Sequence, residues 1–261
     1  MAYRLLAVDL DGTLLTADKK IPERAKAAIG RARKKGAIVV LSTGRTRKGA
    51  QRFYEELELD TLIIVSGGAE VYDRRGKALY KRYLDPDTAK RLLVYAYGNG
   101  IHAQVYIGGE LTVRERNAYT ELYEKHYGFP ARVVPDLLEK RIHTPKVLLI
   151  ADAAKMPGIR ADMQKRFPAL SAKHSDPMYL EFSDPGADKG KALEFVADHY
   201  GVVREEIIAV GDSEIDVSML EYAGFAVAVS NAETCAKENA DLICGSNEQS
   251  GVADLIDRFF P

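Results

Sequence analysis

The feature that most constrains this chain is a recurring unit: a short run of apolar, largely β-branched residues that stops abruptly at acidic, hydroxyl or glycine residues. Arg4 to Val8 runs into Asp9-Leu10-Asp11-Gly12-Thr13, and Ala37 to Leu41 into Ser42-Thr43-Gly44-Arg45. Leu62 to Val65 runs into Ser66-Gly67-Gly68, and Glu206 to Val210 into Gly211-Asp212-Ser213-Glu214-Ile215-Asp216. Phe225 to Val229 has the same unbroken apolar character. Strands that are apolar at every position are covered on both faces, as in a parallel sheet flanked by helices. The stretches between the runs read as helices. From about Pro22 to Lys35, Pro22 suits the first turn, Lys34 and Lys35 complement the negative end of the dipole, and Gly36 closes the element. A second helix is expected around Arg47 to Leu57. Strands alternating with helices predict an α/β fold with a parallel sheet.

The middle of the chain follows another pattern. His102 to Ile107 and Glu110 to Arg114 alternate in polarity across Gly108-Gly109, which reads as a hairpin. Lys146 to Ala151 and Met178 to Phe182 are further strands, with helices near Asp87 to Tyr97, Asn117 to Tyr127 and Ala154 to Phe167. Turn residues bracket the block at Leu84-Asp85-Pro86 and Ser183-Asp184-Pro185-Gly186. The expectation is an α+β domain over 83–184, inserted into a core formed by 1–82 and 185–261.

Composition excludes several classes. The 261 residues carry 37 Lys+Arg against 38 Asp+Glu, a net charge of −1, so bulk electrostatics do not favour nucleic acid. No segment approaches the ~18 apolar residues of a membrane span, and Leu5 to Val8 is too short for a secretory core. Only two cysteines occur, Cys235 and Cys244, with no paired spacing. A cytoplasmic protein is expected, a monomer or weak homodimer, with neither nucleic acid nor membrane as partner. The five histidines show no metal-ligand spacing.

In an open parallel sheet, ligands bind beyond the carboxyl ends of the strands, where the polar endings gather. Asp9 and Asp11 are two apart and leave an extended chain on the same side. Two carboxylates that close repel unless a cation lies between them, and Asp212 from another strand end would complete an oxygen-rich pocket of the kind Mg²⁺ prefers. At average residue usage, Asp-x-Asp-Gly-Thr arises by chance in roughly one chain of this length in a few hundred.

Asp9-Leu10-Asp11-Gly12-Thr13, then Thr43-Gly44-Arg45, then Lys189 within Gly186-Ala187-Asp188-Lys189-Gly190, then Gly211-Asp212 with Asp216, resemble in order and spacing the four motifs of the haloacid dehalogenase superfamily. The long insert resembles the large α/β cap of its Cof-type sugar-phosphate phosphatases. The resemblance covers nearly the whole chain and implies a Rossmann-like core with an inserted cap. It implies Asp9 as a nucleophile that forms an aspartyl-phosphate. Asp11 would be the general acid and base, a role that needs a carboxyl able to change charge near neutral pH. Mg²⁺ would be held by Asp9, the Asp11 carbonyl and Asp212. Thr43 and the amides around Gly44 would hydrogen-bond the phosphoryl oxygens, Lys189 would neutralise charge on the transferring group, and Leu10, Gly12 and Arg45 would also take part in substrate binding. Asp216 and Ser213 would support these groups from behind.

The function so implied is hydrolysis of small phosphomonoesters. A phosphomutase shares the nucleophile, and a phosphometabolite-binding protein with residual activity is the rival from another class. That rival draws on two departures from the family pattern: Ile215 and Gly67 stand where Asn is usual. Loss of the donor at Ile215 would cost on the order of 1–3 kcal/mol of binding if its partner stays buried. In the insert, Arg114-Glu115-Arg116, Lys173-His174, Tyr179 and Glu181 are weaker candidates for selecting the leaving group.

Overall fold

The computed structural model describes residues 3–128 and 130–260. Its fold is α/β, with a Rossmann-like parallel-sheet core and an inserted α+β cap domain. The chain divides into two compact units. Thr46–Gly49 and Lys81–Ala187 form one, and the described residues on either side form the other.

The core sheet has five parallel strands in the order Leu242–Cys244, Phe225–Val229, Ile207–Gly211, Leu5–Val8, Ile38–Leu41. A parallel bridge from Ser42 to Ile64 continues it toward Ile63–Val65. The central side chains from Leu5 to Val8 are fully buried, each contributing about 1.5–3 kcal/mol if the residue is large. Val8 lies opposite both Leu41 and Val210, so Asp9, Ser42 and Gly211 emerge along one edge. From Leu5–Val8 the chain passes to a strand on one side, and from Ile207–Gly211 to a strand on the other. A crevice opens where such connections part, here between Asp9 and Asp212.

The helix Glu23–Lys34 buries Ala25, Ala28, Ile29 and Ala32 on one face. Pro22 sits one position outside it, at the N-cap, rather than within the first turn. Ile63–Val65 also belongs to a three-stranded sheet with Glu70–Tyr72 and Ala78–Lys81 that the apolar pattern does not announce.

The cap has a six-stranded sheet in the order Ser171–Asp176, Tyr179–Ser183, Lys146–Ile150, His102–Ile107, Glu110–Val113, Arg132–Val133. The Gly108-Gly109 turn is a two-residue hairpin, with Ile107 paired to Glu110 and positive φ at both glycines. One sheet face, with Val147, Leu149 and Phe182, packs with Leu92 and Leu93 of helix Pro86–Gly98 and with Met163 of helix Met156–Arg166. The alternate residues Leu148 and Ile150 cluster with Tyr106, Tyr179 and Tyr123 of helix Ala118–Tyr127. No helix among the described residues is long and apolar enough to cross a membrane.

Candidate active site

Three of the four polar loops at the carboxyl edge of the core sheet converge on one ammonium group. Lys189 opens the helix Lys189–Tyr200, whose N-cap Asp188 accepts the Lys191 N–H at 2.8 Å. Its Nζ donates to Asp9 Oδ1 at 2.6 Å, to Asp216 Oδ1 at 2.5 Å and to the Ser42 carbonyl at 2.8 Å. A lysine has three donors. All three are placed, and they tie the first, second and fourth loops together although Lys189 is fully buried. Burial alone would push this ammonium toward its neutral form, but Asp216 and Asp9 outweigh it and hold the proton above the ordinary lysine range.

Asp216 is saturated. Its Oδ2 accepts the Asp212 N–H and Ser213 N–H, each at 3.0 Å, and the Ser213 hydroxyl at 3.1 Å. It holds the fourth loop and Lys189 in place. Asp9 and Asp212 are the carboxylates with room for a further partner. Desolvation raises the Asp9 pKa to about 7, against the opposing pull of Lys189. Desolvation, with Asp216 and Asp9 nearby, raises Asp212 well above the carboxylate range. Thr13 Oγ1 donates to Asp212 Oδ1 at 2.8 Å. A Cβ on Gly12 would lie 2.4 Å from Asp212 Oδ2, and Gly12 adopts φ +79, so only glycine keeps this oxygen accessible.

One ligand atom each from Asp9, Asp212 and Asp216 lies within 4.8 Å of the others. Hard oxygen donors crowded in this way, with two carboxyls destabilised by burial, suit a divalent cation. Asp216 spends its oxygens on Lys189 and the fourth loop, which leaves the first two as donors.

Asp11 departs from the sequence reading. Arg45 Nε donates to its Oδ2 at 2.6 Å and Arg45 Nη2 to its Oδ1 at 2.7 Å, while Lys19 Nζ reaches Oδ1 at 2.9 Å. Desolvation raises the Asp11 pKa, but these two cations overcome it and lower it to about 2. The expected neutral-range titration is therefore absent from this arrangement, because charge-assisted bonds from two cations favour the carboxylate. Arg45, expected on the substrate, is committed to Asp11 and lies over the Phe53 ring at 5.0 Å. The Thr43 hydroxyl accepts the Arg45 N–H at 3.1 Å and is fully buried. Leu10 is buried in the core, so only its backbone can face a ligand. Gly44 lies in the turn between Thr43 and Arg45.

The third loop is tied to the second: Ser66 N–H donates to the Arg45 carbonyl at 2.7 Å and Gly67 N–H to the Thr43 carbonyl at 3.0 Å. Gly67 has φ 69 and ψ 26, the left-handed region that Asn enters more readily than other side chains. The loop keeps a backbone fit for Asn and lacks only the side chain. Ile215 is buried in the middle of the short helical turn Glu214–Asp216 that follows Asp212.

In the cap, Glu181 is buried in an ion pair with Lys146 at 2.7 Å and accepts from the Ser175 hydroxyl at 2.7 Å. Tyr179 packs against the rings of Tyr123 and Tyr127. Arg114 lies over the Tyr97 ring, Arg116 pairs with Glu124, and His174 Nδ1 is 3.1 Å from the Tyr179 carbonyl. Each is engaged within the cap itself. Sequence reasoning missed Lys19, Thr13 and the Ser42 carbonyl as site groups. Thr13 was readable, since its hydroxyl follows the Asp-x-Asp-Gly turn directly.

An α/β core whose strand ends present paired acids and a buried lysine is the architecture of a phosphoryl-handling hydrolase. The family model for haloacid dehalogenase-like hydrolases matches residues 6–256, and the chain belongs to that family. It is 31% identical over 270 residues to the 5-amino-6-(5-phospho-D-ribitylamino)uracil phosphatase YitU of Bacillus subtilis, covering 98% of this chain and 97% of the relative. A haloacid dehalogenase-like hydrolase from Bacteroides thetaiotaomicron superposes with a TM-score of 0.88 at 29% identity, covering 98% and 99% of the two chains. A HAD/COF-like hydrolase from Plasmodium vivax shares the fold, with a TM-score of 0.91 at 24% identity over 99% and 95% of the chains. The chain is an enzyme of the phosphoric monoester hydrolase class.

Proposed function

We propose that this chain hydrolyses small phosphomonoesters with Mg²⁺, through an aspartyl-phosphate formed on Asp9. The observation that carries the reading is the placement of Lys189, which joins Asp9, Asp216 and the Ser42 carbonyl within 2.8 Å. Mg²⁺ held by Asp9, Asp212 and the Asp11 carbonyl would neutralise charge on the phosphoryl oxygens. Asp9 supplies the nucleophilic oxygen, and Lys189 orients it through Oδ1 and faces the charge that develops in the transfer. Thr43 and the Gly44 turn receive phosphoryl oxygens. Once its contacts with Arg45 and Lys19 loosen, Asp11 takes up a proton from solvent, gives it to the departing alkoxide and then takes one from the attacking water. A phosphoryl group is an anion that Arg45 can bind in place of that carboxylate, which couples substrate arrival to release of the acid. The 83–184 insert serves as the cap that selects the leaving group.

Phosphate release from p-nitrophenyl phosphate, with and without Mg²⁺, tests the reading. Turnover that needs Mg²⁺ and vanishes in Asp9→Asn supports it, and turnover that survives Asp9→Asn defeats it. A panel of sugar phosphates, pyridoxal phosphate and the phosphoribityl substrate named for the Bacillus relative then ranks substrates by kcat/KM. Product analysis on sugar phosphates separates hydrolysis from mutase chemistry.

A further inference from the structure

The turn that follows strand Phe225–Val229 touches both acidic loops without touching their carboxylates. Asn231 Nδ2 donates to the Gly12 carbonyl at 2.7 Å. Two residues on, Glu233 N–H donates to the Asp212 carbonyl at 2.7 Å, and Glu233 Oε2 accepts the Glu214 N–H at 3.1 Å. The bracket is itself anchored. Asn247 N–H donates to Asn231 Oδ1 at 3.1 Å, Asn247 Nδ2 donates to the Leu15 carbonyl at 2.8 Å, and Glu248 Oε1 accepts the Ala17 N–H at 2.7 Å.

We propose that Asn231 is a positioning residue that fixes the separation between the Asp9–Asp11 loop and the Asp212 loop, the two loops a divalent cation would join. The proposal rests on the phosphatase reading above. Asp9 and Asp212 repel each other across a desolvated gap, and groups must hold the loops at a fixed spacing before a cation arrives. The Thr13–Asp212 bond is one such tie, but it occupies a carboxylate oxygen. The Asn231 tie uses only a backbone carbonyl, so it persists with every carboxylate oxygen free for other partners. A side-chain amide offers donor and acceptor together, and Asn231 uses both, one toward Gly12 and one toward Asn247. An aspartate there would set an acceptor against the Gly12 carbonyl, and an alanine would remove both bonds. Asn231 is exposed, so truncation has little effect on global stability and its influence concentrates on loop spacing.

The test compares the full-length wild-type chain with Asn231→Ala, Asn231→Asp and the control Asn239→Ala, whose amide donates to the Cys235 carbonyl on the next helix. Mn²⁺ is the probe, its affinity read by electron paramagnetic resonance, alongside p-nitrophenyl phosphate kinetics at saturating metal. Both Asn231 variants are expected to bind Mn²⁺ about tenfold more weakly and to lose kcat while KM stays within about twofold. Their metal-free melting temperatures and the behaviour of Asn239→Ala should match wild type. Mn²⁺ affinity and kcat unchanged in both Asn231 variants would overturn the proposal and leave the phosphatase reading standing. Wild-type protein that neither bound Mn²⁺ nor released phosphate would overturn both.

Discussion

Arg45 grips Asp11 through both carboxylate oxygens, Nε to Oδ2 at 2.6 Å and Nη2 to Oδ1 at 2.7 Å, across 34 residues of sequence. Two parallel charge-assisted bonds of this kind fix orientation as well as charge. Lys19 adds a third contact at 2.9 Å from a loop position with φ 57.

The first prediction concerns this clamp. Because the folded pKa of Asp11 is lowered to about 2, its contribution to stability is present above the ordinary carboxylate value near pH 4 and is lost as pH falls through 2. Arg45→Met should lower unfolding free energy by about 1–3 kcal/mol at neutral pH, and Lys19→Met by less than about 1 kcal/mol because that pair is partly exposed. Urea melts at a series of pH values check this: the Arg45→Met deficit should shrink as pH drops toward 2. A deficit that stays constant with pH would mean that the loss arises from packing on Phe53 instead.

The second concerns Asp9 and Asp212, whose shifts run the other way. With Asp9 raised to about 7, the folded chain holds more protons than the unfolded chain between about pH 4 and 7, so metal-free stability falls as pH rises through that window. A cation needs both carboxylates ionised and competes with those protons. The melting-temperature gain on adding MgCl₂ should therefore be larger near pH 8 than near about pH 5. Equal gains at the two pH values would contradict the assignment of these carboxylates as ligands.

The third rests on Gly68, where the third loop presses against the start of the lysine-bearing helix. A Cβ there would lie 2.1 Å from the Asp188 carbonyl carbon and 2.2 Å from its oxygen, at φ +92. Backbone cannot give way as a side chain can, so Gly68→Ala should destabilise the fold by about 2–4 kcal/mol and displace Lys189. Gly36→Ala has the same φ of +92 but open space around the new carbon, so it should show the conformational penalty alone, about 1–2 kcal/mol. Thermal melts of the two variants separate steric overlap from backbone strain.

These sites differ in how far the sequence revealed them. The parallel sheet was legible because Leu5–Val8, Ile38–Leu41, Ile207–Gly211 and Phe225–Val229 are apolar at nearly every position, which only two-sided burial explains. Asp9, Lys189 and Asp212 were legible because they end such strands or open the helix beside them. The strand Ser171–Asp176 was not, since it lies at the edge of the cap sheet, where polar side chains carry no alternating signal. Nor could sequence alone show that Arg45 reaches Asp11, because that contact depends on how the hydrogen bonds of Ser66 and Gly67 hold the second loop. Asn231 meets the Gly12 carbonyl and the Asn247 N–H, backbone groups that leave no residue-type signature at those positions.

The last prediction addresses the two positions where the family pattern has asparagine. Gly67 already has a backbone suited to that residue, so Gly67→Asn should fold with a stability change below about 1 kcal/mol. Ile215 differs, because it is buried and a polar amide in its place must leave water; Ile215→Asn should destabilise the chain by about 1–3 kcal/mol. If this position faces the phosphoryl group, the restored amide should nevertheless lower KM for p-nitrophenyl phosphate several-fold, in keeping with a hydrogen bond worth about 1 kcal/mol. Inorganic phosphate inhibition should tighten in parallel, since the product offers the same oxygens. A variant with wild-type KM and wild-type inhibition by phosphate would show that Ile215 does not limit binding, and the departure from the family pattern would then have to act through the packing of the turn that carries Asp216.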